Sequence, residues 1–343
     1  MNNAIWLASW EKVGREDLRR LLRSHTPDET VEILKREIHS GMPKVDVIEK
    51  CVESAVLHGI KAVLYGSDDY PDILVNIPDP PAVLFYRGDL EGFLKMPAIA
   101  LIGSRRCTTY GRKVARKLSL DFVRNGVAVV SGLARGIDGE AHRGVLEAGG
   151  VTMAVLGNGL DICYPPEHDR LSEKILEKGV LLSEYPPGTD PARYRFPERN
   201  RLISGFSRGV VVVEAGARSG TMITVNTALD QGRDVFAVPG EVTRALSMGT
   251  NMLLRDGAGV VITAADVLEP LGLAKEPEKL IEAFEPGNDT EKAILEHLSV
   301  ETLHFDELLR LVGVGTAVLQ SELLSLEMAG VIMQHPGKIY SLK

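Results

Sequence analysis

The stretch Ala98–Ile102 (AIALI) decides the fold, because it is the first of a series of runs, most of which are apolar throughout. Polar residues do not alternate with apolar ones in these runs, a pattern typical of strands buried on both faces of a parallel sheet. The later predicted strands are Val127–Val130 (VAVV), Thr152–Leu156 (TMAVL), Val180–Ser183 (VLLS), Gly209–Glu214 (GVVVVE), Asp234–Val238 (DVFAV) and Gly259–Thr263 (GVVIT).

Helical segments are predicted between most of these strands. Alternating strands and helices are typical of an α/β fold with a doubly wound, mostly parallel sheet, in which short right-handed crossovers connect the strands. The predicted helices are Gly111–Asn125, Asp138–Ala148, Glu167–Glu177, Asn200–Phe206, Ser219–Gln231 and Thr250–Asp256.

The N-terminal 60 residues have a different pattern from this core. Apolar residues at helical spacing predict short helices there, and two short strands follow before the core begins. The helices are Asp17–Arg23, Pro27–His39 and Val45–Leu57, and the strands are Lys61–Tyr65 and Ala82–Arg87.

The C-terminal part is predicted to be a separate domain. Residues 273–287 combine charge, Pro and Gly with little apolar periodicity, which indicates a linker. Three helices and a hairpin after the linker predict a winged helix over residues 288–343. Its elements are Glu291–Leu298, Phe305–Val312, Thr316–Ala329, Val331–Ile332 and Ile339–Leu342.

Composition excludes several classes of protein. The chain has 343 residues, of which 44% are hydrophobic and 25% are charged, as in ordinary globular proteins. No apolar run reaches the roughly 20 residues of a membrane span, so we expect no membrane insertion. Cys51, Cys107 and Cys163 lie far apart, without the spacing of a zinc site. We therefore expect no metal, no disulfide framework and a cytoplasmic location.

The net charge of −8 argues at first against a nucleic-acid partner. However, residues 97–270 carry 21 basic and 19 acidic side chains, a net charge of +2. Residues 103–117 carry six basic side chains and no acidic one, and residues 193–208 carry five arginines against Glu198 alone. The sequence therefore predicts a local cationic site on an acidic protein.

Small residues follow the predicted strands directly, and parallel α/β sheets bind ligands at this edge. Backbone N–H groups in such loops bind anions, and Arg105, Arg135 and Arg218 could add charged hydrogen bonds to phosphate. The chain contains neither GxGxxG after the first core strand nor GxxxxGK[ST], so no nucleotide fingerprint is present. The loops are residues 103–105, 131–136, 157–159, 215–221 and 239–240.

The segment Tyr185–Arg208 is a long connection rich in Pro and Arg that includes Tyr194 and Phe196. Long loops in compact domains are often functional, and arginines beside aromatic rings suit single-stranded nucleic acid. The alternative, left open here, is that Phe196 fills core space and the arginines pair with carboxylates.

These residues give the chain a resemblance to the DNA-processing protein A family, also called DprA or Smf. The resemblance runs from about Lys61 to Gly272. It implies a Rossmann-like core, an N-terminal helical module that resembles a SAM domain over residues 1–60, and a C-terminal winged helix. The motifs that carry it include ALIGSR, SGLARGIDGEAH, AVLGNGLDICYP, FPERNRLISGFS and VVVVEAGARSGTMIT.

The resemblance implies a homodimeric bacterial protein that binds single-stranded DNA, protects incoming DNA and helps to load the RecA recombinase in natural transformation. It implies no cofactor and no catalytic residue. Carried over to this chain, the DNA pocket would be lined by Gly103, Ser104, Arg105, Ser131, Gly132, Arg135, Asn200, Ser219, Gly220 and Thr221. Arg193, Arg199 and Arg201 would lie at its mouth, and Phe196 is a candidate for base stacking.

Two alternative functions stay open. Phosphoribohydrolases of the same superfamily carry a catalytic Glu on a helix, whereas here the matching helix has Thr224, Val225 and Asn226. A nucleotide-sensing protein is the other alternative. Ser104, Ser131 and Ser219 lie at strand ends, but no GxSxG elbow indicates a hydrolase. His142 is predicted to pack on a helix face, and Asp138 to cap that helix.

The predicted winged helix is acidic, with four basic and eight acidic side chains over residues 287–343. Its third helix has no Lys or Arg, so it lacks the cations that drive counterion release from DNA. We therefore expect this domain to contact protein or to regulate, rather than to bind DNA primarily.

Overall fold

The computed structural model describes residues 1–10, 12–38, 41–274 and 286–342. The chain forms two compact units, residues 1–274 and residues 275–343. The predicted linker, residues 273–287, lies mostly outside the described residues. The same is true of His39 at the end of a predicted helix. Each unit is described by itself below.

The first unit begins with four helices that precede the core. The second and third begin at Arg15 and Pro27, and the third has a capping box in which Thr26 and Glu29 satisfy each other's backbone N–H groups. The helices are α1 (Asn2–Ala8), α2 (Arg15–Ser24), α3 (Pro27–Glu37) and α4 (Val45–Leu57).

Strands and helices then alternate up to residue 268. The strands are β1 (Lys61–Leu64), β2 (Val83–Gly88), β3 (Ala98–Ile102), β4 (Ala128–Ser131), β5 (Thr152–Leu156), β6 (Val180–Ser183), β7 (Gly209–Val212), β8 (Asp234–Ala237) and β9 (Gly259–Val260). The helices are α5 (Asp72–Val75), α6 (Leu90–Leu94), α7 (Thr109–Arg124), α8 (Ile137–Glu147), α9 (Asp169–Leu176), α10 (Arg195–Gly205), α11 (Thr221–Asp230), α12 (Met248–Arg255) and α13 (Ala265–Leu268), with a single 3₁₀ turn at Pro166–His168.

Among the described residues, these strands form one nine-stranded sheet in the order β1-β2-β6-β5-β4-β3-β7-β8-β9. All neighbours from β6 to β9 are parallel, whereas β1–β2 and β2–β6 are antiparallel. The segment β5-β4-β3-β7-β8-β9 has the strand order of a Rossmann fold. The predicted doubly wound, mostly parallel α/β fold is therefore confirmed.

The apolar strand residues pack on both faces of the sheet. In β3, Ile99 and Leu101 belong to a core with Phe122 of α7 and Ala141 of α8. The alternate residues Ala98, Ala100 and Ile102 belong to a core on the other face, with Leu202 of α10 and Val225 of α11. Because successive side chains in a strand point to opposite faces, a strand covered on both sides needs apolar residues at every position.

The N-terminal helices belong to the same unit as the sheet. Ile5, Leu7 and Leu34 are almost completely buried and lie in the same apolar core as β2 and β6. Arg15 and Arg19 also make ion pairs with Asp79, in the segment between β1 and β2. The N-terminal module is thus attached to the core by both apolar burial and charge.

The second unit has the elements of a winged helix. Its helices are α14 (Asp289–Leu298), α15 (Phe305–Val312) and α16 (Thr316–Met328), and its strands are β10 (Leu303–His304), β11 (Ile332–His335) and β12 (Ile339–Leu342). The strands form a sheet in the order β10-β12-β11, and the unit has its own apolar core. This confirms the predicted winged helix. The sequence did not predict β10, and it predicted a strand only at Val331–Ile332, whereas β11 extends to His335.

Several boundaries differ from the sequence predictions. β9 is only two residues long, and α10 begins at Arg195, five residues before the predicted start, so part of the predicted Tyr185–Arg208 loop is helical. Helices α1, α5, α6 and α13 were not predicted, because four to seven residues are too few to show a helical period. No single helix among the described residues is long and apolar enough to span a membrane; α15 and α16 pass that test only as a pair bent by 111°.

Candidate nucleic-acid interface

The strand order reverses between β3 and β7, which are parallel neighbours. The chain continues from β3 toward β6 on one side and from β7 toward β9 on the other. The helices that follow two such strands diverge, which leaves a crevice at the carboxyl ends of the strands, where ligands of open α/β sheets bind. Gly103, Ser104 and Arg105 follow β3, and residues 213–220 follow β7.

The two loops at this crevice are joined by hydrogen bonds. Ser104 N–H donates to the carbonyl oxygen of Glu214 at 2.7 Å. The buried Glu214 carboxylate accepts bonds from Thr108 N–H at 2.8 Å and Thr108 Oγ1 at 2.5 Å. At Gly103, a Cβ would lie 2.7 Å from a side-chain carbon of Ile137, so the loop has no room for a larger residue. The Ser104–Arg105 backbone is therefore held firmly at the crevice.

The loop after β4 needs glycine at two positions for different reasons. Gly136 has a φ of 77°, and a Cβ there would lie 2.2 Å from the carbonyl oxygen of Ser104. At Gly132, a Cβ would lie 2.6 Å from Nη1 of Arg199. Ser131 is completely buried and donates to Leu101 O at 2.7 Å. Its hydroxyl therefore joins two strands and is not exposed to a ligand, contrary to the expected lining role.

Arg199 lies inside the protein and not at the mouth of the pocket, where it was expected. Its Nη1 donates to Gly132 O at 2.8 Å and also to Val155 O. Burial lowers the pKa of Arg199 to about 10, so the guanidinium stays charged at neutral pH, and Asp138 is the nearby acidic group that opposes this shift. Arg199 therefore supports the loop after β4 from within.

Asp138 was expected to cap α8 but does not do so. Its Oδ2 accepts bonds from the N–H groups of Gly132 and Ala134, in the loop before the helix. Burial raises the pKa of this carboxyl, while Arg199 acts in the opposite direction. Asp138 and Arg199 thus hold the same loop through its N–H and C=O groups respectively.

An aromatic stack stands beside this loop. Phe196 stacks on Tyr164 with ring centroids 5.6 Å apart and an interplanar angle of 25°. The guanidinium carbon of Arg105 lies 5.2 Å from the centroid of the Phe196 ring. Phe196 is half-buried, and it also lies against Gly157, where a Cβ would be 3.0 Å from the ring. Tyr164, which is 39% exposed, is absent from the expected set, although it follows one of the predicted strand-end loops.

Arg135 and Arg201 are both paired with carboxylates. Arg135 is exposed and binds both oxygens of Glu167, through Nε and, at 2.9 Å, through Nη2. This pair lowers the pKa of Glu167 to about 2. Arg201 is buried between Glu184, at 2.8 Å, and Asp79, at 3.2 Å. The expectation that Arg201 lies at the mouth of the pocket is not met, because its charge is used inside the protein.

The loop after β7 leads into α11. Ser219 Oγ donates to Thr221 Oγ1 at 2.9 Å and accepts from Thr221 N–H, and Thr221 is buried. Gly220 is exposed and stands at the N-cap position of α11, which has no side-chain cap. The N–H groups of Thr221, Met222 and Ile223 are bonded to Ser219 and Gly220, so Ser219 closes the start of this helix from within the loop.

Polar and cationic side chains lie in the segments that follow β3 and β7 and around the start of α10. Asn200 is half-buried on α10, and its side-chain amide makes no hydrogen bond with the described residues. Arg105, Arg106, Arg112, Arg193 and Arg218 are exposed and have no ion pair within the described parts of the chain. Positive charge and an aromatic stack together suit a phosphate chain that carries bases.

Comparison with known proteins agrees with this geometry. Residues 61–272 match the family described as DNA recombination-mediator protein A, and residues 278–338 match the DprA winged helix domain. The chain belongs to the DNA recombination-mediator protein A family. The resemblance seen in the sequence motifs is thus confirmed over most of the chain.

Individual DprA proteins are similar to this chain over much of their length. The DNA processing protein DprA of Streptococcus pneumoniae is 46% identical over 201 residues, which are 59% of this chain and 71% of that protein. DprA of Bacillus subtilis is 40% identical over 253 residues, 74% of this chain and 82% of that protein. Protein Smf of Escherichia coli is 39% identical over 285 residues, 81% and 76% respectively.

Two solved DprA structures resemble this one. The S. pneumoniae DprA structure has a TM-score of 0.63 and 36% identity, covering 78% of this chain and 93% of that one. DprA of Helicobacter pylori, whose structure has been described for its single-stranded DNA binding mode, has a TM-score of 0.56 and 27% identity, covering 66% of this chain and 97% of that one.

Proposed function

We propose that this chain binds single-stranded DNA at the crevice between β3 and β7. The observation that carries the proposal is the exposed guanidinium of Arg105, which has no ion pair among the described residues and lies over the Phe196 ring. Unpaired polynucleotide offers both a phosphate for the cation and a base face for an aromatic side chain. Duplex DNA keeps its bases stacked and does not offer that face.

The proposed contacts fall into two groups. Arg105, Arg193, Asn200, Gly220 and Arg218 are exposed or half-buried and would contact the DNA directly. The other expected site residues are proposed to shape the pocket or to join it after a local change: Arg135 on release from Glu167, Phe196 with Tyr164 as the stacking surface, and Gly103, Ser104, Ser131, Gly132, Arg199, Ser219 and Thr221 as its frame.

Family membership also supports a cellular role. We propose that the chain acts as a cytoplasmic homodimer that protects incoming single strands and transfers them to the RecA recombinase during natural transformation. A dimer would extend the binding surface and would allow one protein to hold two strands. These points rest on the resemblance to DprA.

We propose no enzymatic turnover. The helix that would supply a catalytic Glu in a related phosphoribohydrolase is α11, and its first acidic residue is Asp230, at the last position. The carboxylate of Glu214, at the crevice, is already bonded to Thr108. Release of free base from nucleoside monophosphates by the purified protein would contradict this view, and a co-purifying nucleotide would favour a sensor.

The proposed DNA site is tested by Arg105→Ala in titrations of an oligonucleotide at several salt concentrations. Each phosphate contact on a single strand contributes about 0.7 to the slope of log K against log salt. We expect Arg105→Ala to weaken binding and to reduce the slope by about that amount. Arg255→Ala is the matched control, because Arg255 is exposed and paired with Asp256 at the end of α12. An unchanged slope in Arg105→Ala would overturn the proposed site.

A further inference from the structure

A wide groove separates the N-terminal helices from the core, on the other side of the N-terminus of α10. It has a volume of about 1180 Å³. One wall comes from α1, α4 and the segments beside them, and the other from residues 184–189, with Tyr194 and Arg195. Both walls belong to the first unit. The groove takes no part in the crevice between β3 and β7.

Two lysines on the N-terminal wall are available to an anion. Lys44 and Lys50 line the groove and are exposed, and neither has an ion pair among the described residues. The acidic residues of α4 (Asp46, Glu49 and Glu53) do not line it. Arg15 and Glu184 also face the groove, but they are paired with each other at 2.9 Å. The unbalanced charge of the groove is therefore positive.

The core wall carries an aromatic and cationic stack. The guanidinium carbon of Arg195 lies 5.2 Å from the ring centroids of both Tyr185 and Tyr194. Tyr194 is 60% exposed, a large fraction for an aromatic side chain next to a groove. An exposed ring beside a guanidinium is the arrangement on which unpaired bases stack.

This stack is continuous along the chain with the candidate DNA site. Arg195 is the first residue of α10, and the next residue, Phe196, stacks on Tyr164 beside Arg105. A DNA strand that extends from Phe196 past the N-terminus of α10 would reach Tyr194 and Arg195, which line the groove. Lys44 and Lys50 line the same groove.

We propose that this groove is a second binding segment for the same unpaired polynucleotide, with Tyr194 and Arg195 stacking a base and with Lys44 and Lys50 binding phosphates. The inference rests on the proposed function, because it extends the DNA path from the β3–β7 crevice to the N-terminal module. It predicts that a strand must be long enough to pass α10 before the groove contributes to affinity.

Oligonucleotide length separates the two sites. Wild-type protein, the double variant Lys44→Ala/Lys50→Ala and the variant Arg105→Ala would be titrated with oligothymidylates of about 6 and about 20 nucleotides, lengths chosen around the usual site sizes of single-strand binders. We expect the double variant to bind the longer strand about tenfold more weakly at low salt, with the slope of log K against log salt reduced by about 1.4, and to bind the shorter strand unchanged. Arg105→Ala should weaken both.

Lys95→Ala/Lys174→Ala is the matched control, because both lysines are exposed outside the groove and the change in net charge is the same. If the longer strand bound Lys44→Ala/Lys50→Ala as well as it binds this control, the groove inference would fail while the DNA site at Arg105 remained. If wild-type protein bound neither strand, the proposed function itself would fail.

Tryptophan fluorescence gives an independent readout. The chain has two tryptophans, Trp6 and Trp10, with ring centroids 6.2 Å apart, and Trp10 lines the groove. In a Trp6→Phe variant, emission comes from Trp10 alone. Saturation with the longer strand should change that emission, and saturation with the shorter strand should not. Equal spectra with and without the longer strand would overturn the proposal.

Discussion

Arg199 Nη1 donates a hydrogen bond of 2.8 Å to the carbonyl oxygen of Gly132, although 67 residues separate the two in the chain. The buried Arg199 thus fixes the position of the loop after β4, which belongs to the candidate DNA site. Asp138 holds the N–H groups of the same loop. The arginines near the candidate site therefore differ in role: Arg105 is exposed, Arg199 is buried and bonds to backbone, and Arg201 is buried and pairs with carboxylates.

Gly136→Ala and Gly149→Ala form a matched pair of substitutions. Both glycines have positive φ, 77° and 71°, which costs a non-glycine residue about 1–3 kcal/mol. The cost is at the upper end at Gly136, whose ψ of −129° lies outside the left-handed helical region. A Cβ at Gly149 meets nothing within 4 Å, whereas one at Gly136 lies 2.2 Å from Ser104 O. We expect Gly149→Ala to lower only the free energy of unfolding and Gly136→Ala to weaken DNA binding as well. Urea unfolding and DNA titration check this, and equal DNA affinities would contradict it.

Arg201→Ala should act on stability. Removal of one partner from a buried ion pair costs about 3–5 kcal/mol when the remaining charge has no other partner. Here Glu184 keeps Arg15, and Asp79 keeps Arg15 and Arg19, so we expect a smaller loss of about 1–3 kcal/mol. Arg255→Ala, at an exposed pair, should cost less than about 1 kcal/mol. Denaturant unfolding of both variants measures the difference. Equal free energies of unfolding would show that the Arg201 network carries little of the stability.

Glu167→Gln should tighten DNA binding. The substitution removes the carboxylate that neutralises Arg135, and an exposed guanidinium becomes free for a phosphate. We expect affinity for single strands at low salt to rise severalfold, with a salt slope steeper by up to about 0.7. Asp256→Asn removes a comparable carboxylate beside Arg255 and is the control. The same gain in both variants would point to net charge alone.

His142 should make the fold sensitive to acid. Burial lowers the pKa of His142 to about 3, from an ordinary value of 6.5, with His168, Arg143 and Arg199 adding to the effect. Between these two pH values the unfolded chain binds a proton that the native protein does not bind. The free energy of unfolding therefore falls as pH decreases, by up to about 1.4 kcal/mol per pH unit from this group.

The variant His142→Gln tests this dependence, because an amide can keep the bond now made to Thr152 Oγ1 at 2.8 Å and does not titrate. We expect its free energy of unfolding to fall less steeply than that of the wild type between pH 6.5 and pH 4.5. Parallel pH profiles would assign the acid sensitivity to other groups.

Residues 1–274 alone should keep most of the affinity for single strands. The first unit has its own apolar core and contains every residue of the proposed DNA path. In the winged helix, α16 carries no Lys or Arg and exposes Val318, Leu324 and Met328 instead. We expect truncation to change affinity by less than about twofold in a gel-shift titration. A loss of tenfold would assign a primary DNA role to the winged helix.

The parallel part of the sheet could be predicted from the sequence, because every position of its buried strands requires an apolar residue. Strands covered on both sides must be apolar throughout, and β3, β5 and β6 lie at their predicted positions. The antiparallel addition of β1 and β2 beside β6 could not be predicted. β2 pairs with residues about 100 positions later, and no local pattern specifies that partner. The motifs were specific enough to identify the family.

The roles of individual arginines were less predictable. Arg105, Arg199 and Arg201 have the same side chain in similarly basic stretches, yet the first is exposed and the other two are buried. What separates them is the position of Asp79, Asp138 and Glu184, which reach the arginines only through the tertiary structure. The number of basic residues in a segment thus locates the cationic region. It does not show which arginines are free to contact a ligand and which pair with carboxylates inside the protein.

The pairing of β2 with β6 has a consequence for how the polypeptide is made. Val83–Gly88 leaves the ribosome before Val180–Ser183 has been translated, and β2 lies between β1 and β6 in the finished sheet. During that interval the outer edge of β2, which later pairs with β6, stays unpaired, and such an edge is a surface on which chains aggregate. Because β2 has only six residues, the exposed edge is short until β6 has been synthesised.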